Sequence, residues 1–148
     1  MKKRIIFLDV DGVLNGFKFQ CKDFAVNWSC VRILKEIIEE TWAQVVISSS
    51  WRLSEESLSQ LYRECLCFDL DLEKYVIWKT PKLTQWRWAE IRQWLLKNPF
   101  SDFVILEDSP HDMIFYVEEG LVVKTDHEVW LTAEDKEKAI KILTQKEL

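Results

Sequence analysis

The stretch IIFLDVDG, residues 5–12, decides the fold of this chain. Its first four residues are all apolar and include two β-branched isoleucines, a composition typical of a strand that is buried on both faces. Asp9, Asp11 and Gly12 follow at once, so the strand runs into a turn that carries two carboxylates. A strand buried on both faces belongs to a parallel sheet, and such sheets bind ligands beyond the carboxyl ends of their strands.

Further strands and helices are predicted to alternate along the rest of the chain. Apolar runs predict three more buried strands and one weaker strand, at 44–47, 103–106, 121–123 and 75–78. Apolar residues at helical spacing predict helices at 29–42, 54–65, 85–97 and 112–119, and a C-terminal helix after Thr132. Strands that alternate with helices indicate βαβ units. The sequence therefore predicts an α/β fold with a mostly parallel sheet and helices on both faces.

Several helix ends and large side chains carry expectations of their own. Ser29 and Ser54 are of the type that caps a helix N-terminus, and Thr132 with Asp135 resembles a capping box. Helical spacing turns three tryptophans toward the core, namely Trp42, Trp88 and Trp94. These residues lie at or near predicted helix ends, so they also predict where each helix begins and ends.

Composition limits the class of protein. The chain has 148 residues, 48% of them hydrophobic and 30% charged, which predicts one globular domain over residues 1–148. Its net charge of -5 excludes an overall basic surface for nucleic acid. The four cysteines match no zinc-binding spacing, and we expect them to be reduced thiols. No apolar run approaches the roughly 18 residues of a membrane helix, so we expect a cytoplasmic protein that does not contact membranes.

Acidic and hydroxyl side chains collect where the predicted strands end. They are Asp9, Asp11, Ser48, Ser49, Ser50, Glu107 and Asp108. Because the carboxyl ends of parallel strands meet at one edge of the sheet, we expect these groups to lie close together. Clustered carboxylates repel one another unless a cation intervenes, and oxygen ligands without histidine favour Mg²⁺. Any one Asp after a strand could be a mere turn or helix cap, but three such strand ends favour a site that handles phosphate.

In order and spacing these motifs resemble the haloacid-dehalogenase-like (HAD) superfamily of phosphatases. The first motif is a strand followed by DxDG, here at residues 5–15, and the second is a strand ending in hydroxyl residues, here at 45–50. The fourth is an apolar strand followed by an acidic pair and a further Asp, here LEDSPHD at 106–112. The acidic pair is Glu-Asp, where the superfamily more often has Asp-Asp.

A closer similarity is to the small HAD domains of RNA-repair and polynucleotide kinase-phosphatase type. It is carried by SSSWR at 48–52, by the segment 87–95, by VILED at 104–108 and by the tail from 122 to 132. This resemblance implies a three-layer Rossmann-like sheet. About 30 residues separate Gly12 from the second strand, and the helix at 29–42 uses half of them. The segment 53–86 is used by one helix and one weak strand, so we expect no large cap domain.

The resemblance also implies a mechanism. Asp9 would attack phosphorus to form an aspartyl-phosphate, and Asp11 would act as general acid and then as general base. Mg²⁺ would be held by Asp9, the backbone carbonyl of Asp11, and Asp108. A serine after the second strand and a basic residue would bind the phosphoryl oxygens. Three further residues would lie against the substrate, namely Gly12, Ser50 and Arg52.

Two of these roles have competing residues. Strand length favours Ser49 as the phosphate-binding serine, a Ser-x-Arg pattern favours Ser50, and Ser48 remains an alternative. The basic residue has four candidates, which are Lys79, Lys82, Arg87 and Arg92. We select Ser49, and we select Arg87 because it precedes Glu90 and Ile91 as in the similar domains.

The substrate is expected to be a phosphomonoester, such as a nucleic-acid end or a nucleotide, and a protein partner is left open. Four tryptophans could stack on a base or simply pack at the rim, namely Trp51, Trp78, Trp86 and Trp130. Two alternatives to an enzyme are a receiver-like phosphoacceptor module and a catalytically silent HAD fold that only binds. The receiver is disfavoured, because its acceptor Asp follows the third strand rather than the first.

Overall fold

The computed structural model describes residues 3–16, 24–80, 87–100, 102–109, 121–126 and 128–144. Five strands in this part of the chain form one sheet in the order β3-β2-β1-β4-β5, and every neighbouring pair is parallel. The strands are β1 (Arg4–Leu8), β2 (Gln44–Ile47), β3 (Val76–Lys79), β4 (Asp102–Glu107) and β5 (Val122–Lys124). The predicted α/β fold with a parallel sheet is confirmed.

Helices connect the strands and cover the sheet. They are α1 (Trp28–Thr41), α2 (Glu55–Cys67), α3 (Leu72–Tyr75), α4 (Arg87–Lys97) and α5 (Ala133–Thr144), with a 3₁₀ helix at Ser50–Leu53. The helix predicted at 112–119 lies outside the described residues, as do residues 85 and 86 of the helix predicted from 85. The described ranges contain no cap domain, as expected. No helix among them is long and apolar enough to cross a membrane.

The central strand β1 divides the core into two clusters, because successive side chains of a strand point to opposite faces. Ile6 and Leu8 pack into the larger cluster, which includes apolar residues of α1 and α5. Ile5 and Phe7 pack into the smaller one, where α4 contributes Trp94 and Trp88 packs at the edge. Both faces of β1 are thus dry, which explains its continuous apolar sequence.

Helix boundaries were predicted less well than helix positions. The cap of α1 is Asn27, whose side chain accepts a hydrogen bond from the backbone N–H of Ser29 at 2.8 Å, so the assignment to Ser29 was wrong. The expectation that Trp42 faces the core was also wrong. Trp42 follows the last helical residue in a left-handed conformation and is 87% exposed. The caps at Ser54 and at Thr132 with Asp135 are confirmed by their hydrogen bonds.

Candidate functional site

The strand register brings three polar residues to one edge of the sheet. Leu8 pairs with Ile47 on one side and with Leu106 on the other. The residues that follow these three are Asp9, Ser48 and Glu107. The backbone N–H of Asp9 donates to the Leu106 carbonyl at 3.2 Å, and that of Ser48 donates to the Leu8 carbonyl at 3.0 Å. The ladder therefore continues one step past the strands and fixes the backbone from which these side chains project.

Three carboxylates converge at this edge. One oxygen from each of Asp9, Glu107 and Asp108 lies within 4.8 Å of the others. Asp9 is 3% exposed and Glu107 is 1% exposed. Burial raises the pKa of Asp9, and burial with the neighbouring Asp9 carboxylate raises the pKa of Glu107 to about 9. A hard cation such as Mg²⁺ suits this set, because every donor is a carboxylate oxygen and two of the three carboxylates are buried.

Arg87 supplies positive charge beside the cluster. It is the first residue of α4, and its Nη1 lies 3.3 Å from Oδ2 of Asp9 and forms an ion pair with the Glu107 carboxylate. Of the competing bases, Lys79 contacts the backbone carbonyl of Arg52, and Arg92 is exposed on α4. Lys82 lies outside the described residues. Arg87 is therefore the base that the structure brings to Asp9.

The three serines occupy different environments. Ser50 is exposed, whereas Ser48 and Ser49 are buried. The Ser49 hydroxyl accepts a hydrogen bond from the backbone N–H of Trp51 at 3.2 Å and so caps the 3₁₀ helix. The Ser48 hydroxyl has no hydrogen-bond partner in the part of the chain that the structure describes. The backbone ladder continues to Asp9 and Ser48, so the register puts both residues on the same face of the sheet.

Arg52, which the sequence suggested as a substrate contact, is held inside the protein. Its side chain is 6% exposed, and its Nη2 lies 2.9 Å from both carboxylate oxygens of Glu90. Its Nε donates to the Thr80 carbonyl at 2.7 Å, and its Nη1 donates to the Ser49 carbonyl at 2.8 Å. With all three donor nitrogens engaged inside the protein, Arg52 joins the serine loop and the end of β3 to α4.

Gly12 is held against the acidic cluster. Its φ of +82° is unfavourable for other residues, and a Cβ there would lie 2.2 Å from Cγ of Asp108. The Thr125 hydroxyl, which follows β5, donates to the Gly12 carbonyl at 2.6 Å. The sequence indicated Gly12 as a substrate contact, but it gave no sign of the close approach to Asp108 or of Thr125.

A C-terminal strap, residues 125–126 and 128–131, holds the loop that follows β1. Besides the Thr125 contact, the backbone N–H of Leu131 donates to the Val13 carbonyl at 2.9 Å. The Trp130 indole packs on Gly16, where a Cβ would lie 1.9 Å from its Nε1. These contacts fix the DxDG loop from outside the sheet.

The remaining tryptophans differ in their relation to the site. The indole Nε1 of Trp51 lies 3.3 Å from each carboxylate oxygen of Asp11. Trp78 lies on the edge strand β3 and is 59% exposed. Trp86 is outside the described residues. Trp51 is therefore the tryptophan that the structure joins to a predicted catalytic carboxylate.

The chain matches a known family over the segment that carries this site. The sequence profile of a family described as "HAD domain in Swiss Army Knife RNA repair proteins" matches residues 5–136. The match begins in β1 and ends in α5, so it includes all the site residues described above. Neither the curated proteins nor the solved structures gave a match. Because the matched segment covers most of the chain, the chain belongs to the HAD domains found in Swiss Army Knife RNA repair proteins.

Proposed function

We propose that this protein is a Mg²⁺-dependent phosphatase that removes phosphate from nucleic-acid ends through an aspartyl-phosphate intermediate on Asp9. The family implies a phosphatase-type hydrolase and a phosphorylated nucleic-acid substrate in general. The observation that carries the finer proposal is the position of Asp9, which lies 3.3 Å from Arg87 and within 4.8 Å of two further carboxylates. This arrangement supports roles for Asp9 as nucleophile, for Arg87 as the fixed positive charge and for the neighbouring carboxylates as metal ligands.

The reaction divides into two displacements. In the first, a carboxylate oxygen of Asp9 attacks phosphorus, and the bond to the leaving oxygen breaks as Asp11 donates its proton to that oxygen. In the second, Asp11 takes a proton from water, whose oxygen attacks phosphorus and releases phosphate from Asp9. Asp11 is exposed beyond the strand end, where a leaving group in solvent could reach it.

Asp9, Asp108 and the backbone carbonyl of Asp11 would hold the metal. Bound Mg²⁺ would neutralise the charge on the phosphate and on the attacking carboxylate. Glu107 is closer to Arg87 than Asp9 is, and we assign it to orienting that guanidinium. Arg87 would then bind a phosphoryl oxygen and stabilise the charge that develops during transfer.

Ser48, rather than Ser49, is the serine that we now assign to the phosphoryl group. The Ser49 hydroxyl already accepts a helix-capping hydrogen bond, whereas that of Ser48 has no partner among the described residues. Leaving a buried hydroxyl without a partner costs free energy, and a phosphoryl oxygen would accept a hydrogen bond from it. β2 ends at Ile47, as predicted, so Ser48 is the first residue past the strand.

A direct test compares phosphate release from 3′- and 5′-phosphorylated oligonucleotides with release from a mononucleotide, with Mg²⁺ and with EDTA. We expect metal-dependent turnover and a kcat/KM at least about tenfold higher on an oligonucleotide, because the open site leaves binding energy to the rest of the substrate. A best substrate among sugar phosphates would contradict the nucleic-acid assignment. No turnover of any phosphomonoester would favour a silent binding fold.

Replacing each buried serine separates their roles. Ser48→Ala should lower kcat/KM on the order of 10²-fold, as for loss of one preorganised donor, and leave the free energy of unfolding nearly unchanged. Ser49→Ala should do the reverse, since losing a cap costs about 1 kcal/mol of stability. Steady-state kinetics and urea denaturation measure the two effects. A larger kinetic loss in Ser49→Ala would return the phosphate contact to Ser49.

Gly12→Ala should weaken metal binding. The added methyl would displace Asp108, and the positive φ adds strain of about 1 kcal/mol. We expect the Mg²⁺ concentration for half-maximal activity to rise about tenfold or more, as it does when a residue that orients a metal ligand is replaced. Asp108→Ala should change the titration in the same direction. An unchanged Mg²⁺ titration in both variants would remove Asp108 from the metal site.

A further inference from the structure

We propose that Trp51 is a positioning residue for Asp11, holding its carboxyl group where it can reach the leaving oxygen. This inference rests on the proposed function, in which Asp11 is the general acid. It assigns the tryptophan of the SSSWR segment to proton transfer rather than to stacking on a base.

The indole is a well-fixed hydrogen-bond donor. Its Nε1 lies 3.3 Å from both Oδ1 and Oδ2 of Asp11, so one N–H is shared between the two oxygens. The Trp51 ring is partly buried and packs against the larger core cluster. The Trp51 backbone N–H donates to the Ser49 hydroxyl at the start of the 3₁₀ helix. Ring and backbone are therefore both held while the N–H points to the carboxylate.

Within the described ranges, the Asp11 carboxylate has hydrogen bonds to the Trp51 indole alone. It is exposed and follows the strand in a turn, where its backbone bridges to Asn15. Among the described residues, the Trp51 indole is the donor that reaches its carboxylate. An exposed aspartate with no such contact would sample several rotamers, and misplacing a catalytic group by about 1 Å can cost on the order of 10²-fold in rate.

In the first displacement, the Asp11 carboxyl group must be in this position when the leaving group departs. As the Asp9 oxygen bonds to phosphorus, the bond between phosphorus and the leaving oxygen breaks and its electron pair stays on that oxygen. The proton of Asp11 then completes the alcohol, leaving Asp11 as a carboxylate. An alkoxide leaving group requires this proton, whereas 4-nitrophenolate is stable without it.

The test is therefore the dependence of the Trp51→Phe variant on the leaving group. Phenylalanine keeps an aromatic ring for the core and removes the N–H. We expect kcat/KM for an alkyl ester, a 3′-phosphorylated oligonucleotide, to fall about tenfold, with less than about a twofold change for 4-nitrophenyl phosphate. The quantity kcat/KM is chosen because it reports the steps through release of the first product.

Two variants serve as references. Asp11→Asn should show the same selectivity with a larger loss, and Trp42→Phe, at an exposed position on the far end of α1, should show none. The positioning role is wrong if Asp11→Asn lowers kcat/KM selectively for the alkyl ester while Trp51→Phe either has no effect or lowers kcat/KM equally for both esters. The proposed function would then stand. If the wild type hydrolyses neither ester, both are wrong.

A readout without turnover checks the contact itself. In a ¹⁵N spectrum of the indole N–H groups, the Trp51 resonance is identified by its loss in Trp51→Phe. Asp11→Ala should shift that resonance and increase its rate of exchange with water, because its acceptor is gone. An unmoved resonance would show that the indole does not donate to Asp11 and would overturn the inference.

Discussion

Asp9→Asn is expected to abolish phosphate release, with a loss of kcat on the order of 10⁴-fold or more, while the fold survives. The amide is nearly isosteric with the carboxylate, but it is a poor nucleophile and a weaker ligand for a hard cation. Removing one charge from three converging carboxylates relieves repulsion. We therefore expect the Tm in metal-free buffer to be unchanged or raised, measured by circular dichroism beside the phosphate assay.

Asp71→Asn is the matched control, because Asp71 is exposed before α3 and makes no capping hydrogen bond with its side chain. It should keep wild-type activity. Acid-quenched enzyme incubated with ³²P-labelled substrate should carry label in the wild type and none in Asp9→Asn. Substantial turnover by a folded Asp9→Asn variant would exclude a covalent intermediate on this residue.

Glu90→Ala is expected to cost about 3–5 kcal/mol of unfolding free energy, as for other broken buried ion pairs. The substitution leaves the Arg52 guanidinium buried, with its Nη2 deprived of both carboxylate contacts. A domain is stable by only about 5–15 kcal/mol, so this is a large fraction of the total. Urea denaturation measures the change, and Glu90→Gln, which keeps one acceptor, serves if Glu90→Ala does not fold.

Glu39→Ala is the control for the buried pair. Glu39 lies 3.8 Å from Lys35 on the surface of α1, with its side chain 55% exposed. Exposed pairs contribute about 0–1 kcal/mol, so this variant should unfold close to the wild-type urea concentration. Similar losses in Glu39→Ala and Glu90→Ala would show that the Arg52 pair is not a specific stabilising contact.

The fold could be predicted because buried strands and helices carry apolar residues at regular spacing. A strand covered on both faces must be apolar throughout, and a helix on a sheet must be apolar on one side, so IIFL at residues 5–8 and the spacing in α1 could be interpreted directly. The edge of the sheet that carries the site was predictable for a related reason. Parallel strands all point the same way, and their carboxyl ends must meet.

The details depended on contacts that periodicity does not encode. Whether Ser48 or Ser49 faces the site turns on a single residue at the end of β2, because neighbouring side chains point to opposite faces. Nothing in the sequence pattern shows that the Arg52 guanidinium is buried and paired with Glu90. Trp42 continues the apolar spacing of α1 but lies one residue past its end, where the chain turns into solvent.

The strap has a consequence for how the protein is made. Thr125 and Gly12 are 113 residues apart in the chain, so their contact closes a loop that spans most of the domain. The entropy of closing long loops delays such contacts relative to local ones. During synthesis, the motif that carries Asp9 and Asp11 emerges before the residues that brace it, with more than a hundred residues between them. We therefore expect Asp9 to leave the ribosome before the contacts between Gly12 and Thr125 can form around its loop.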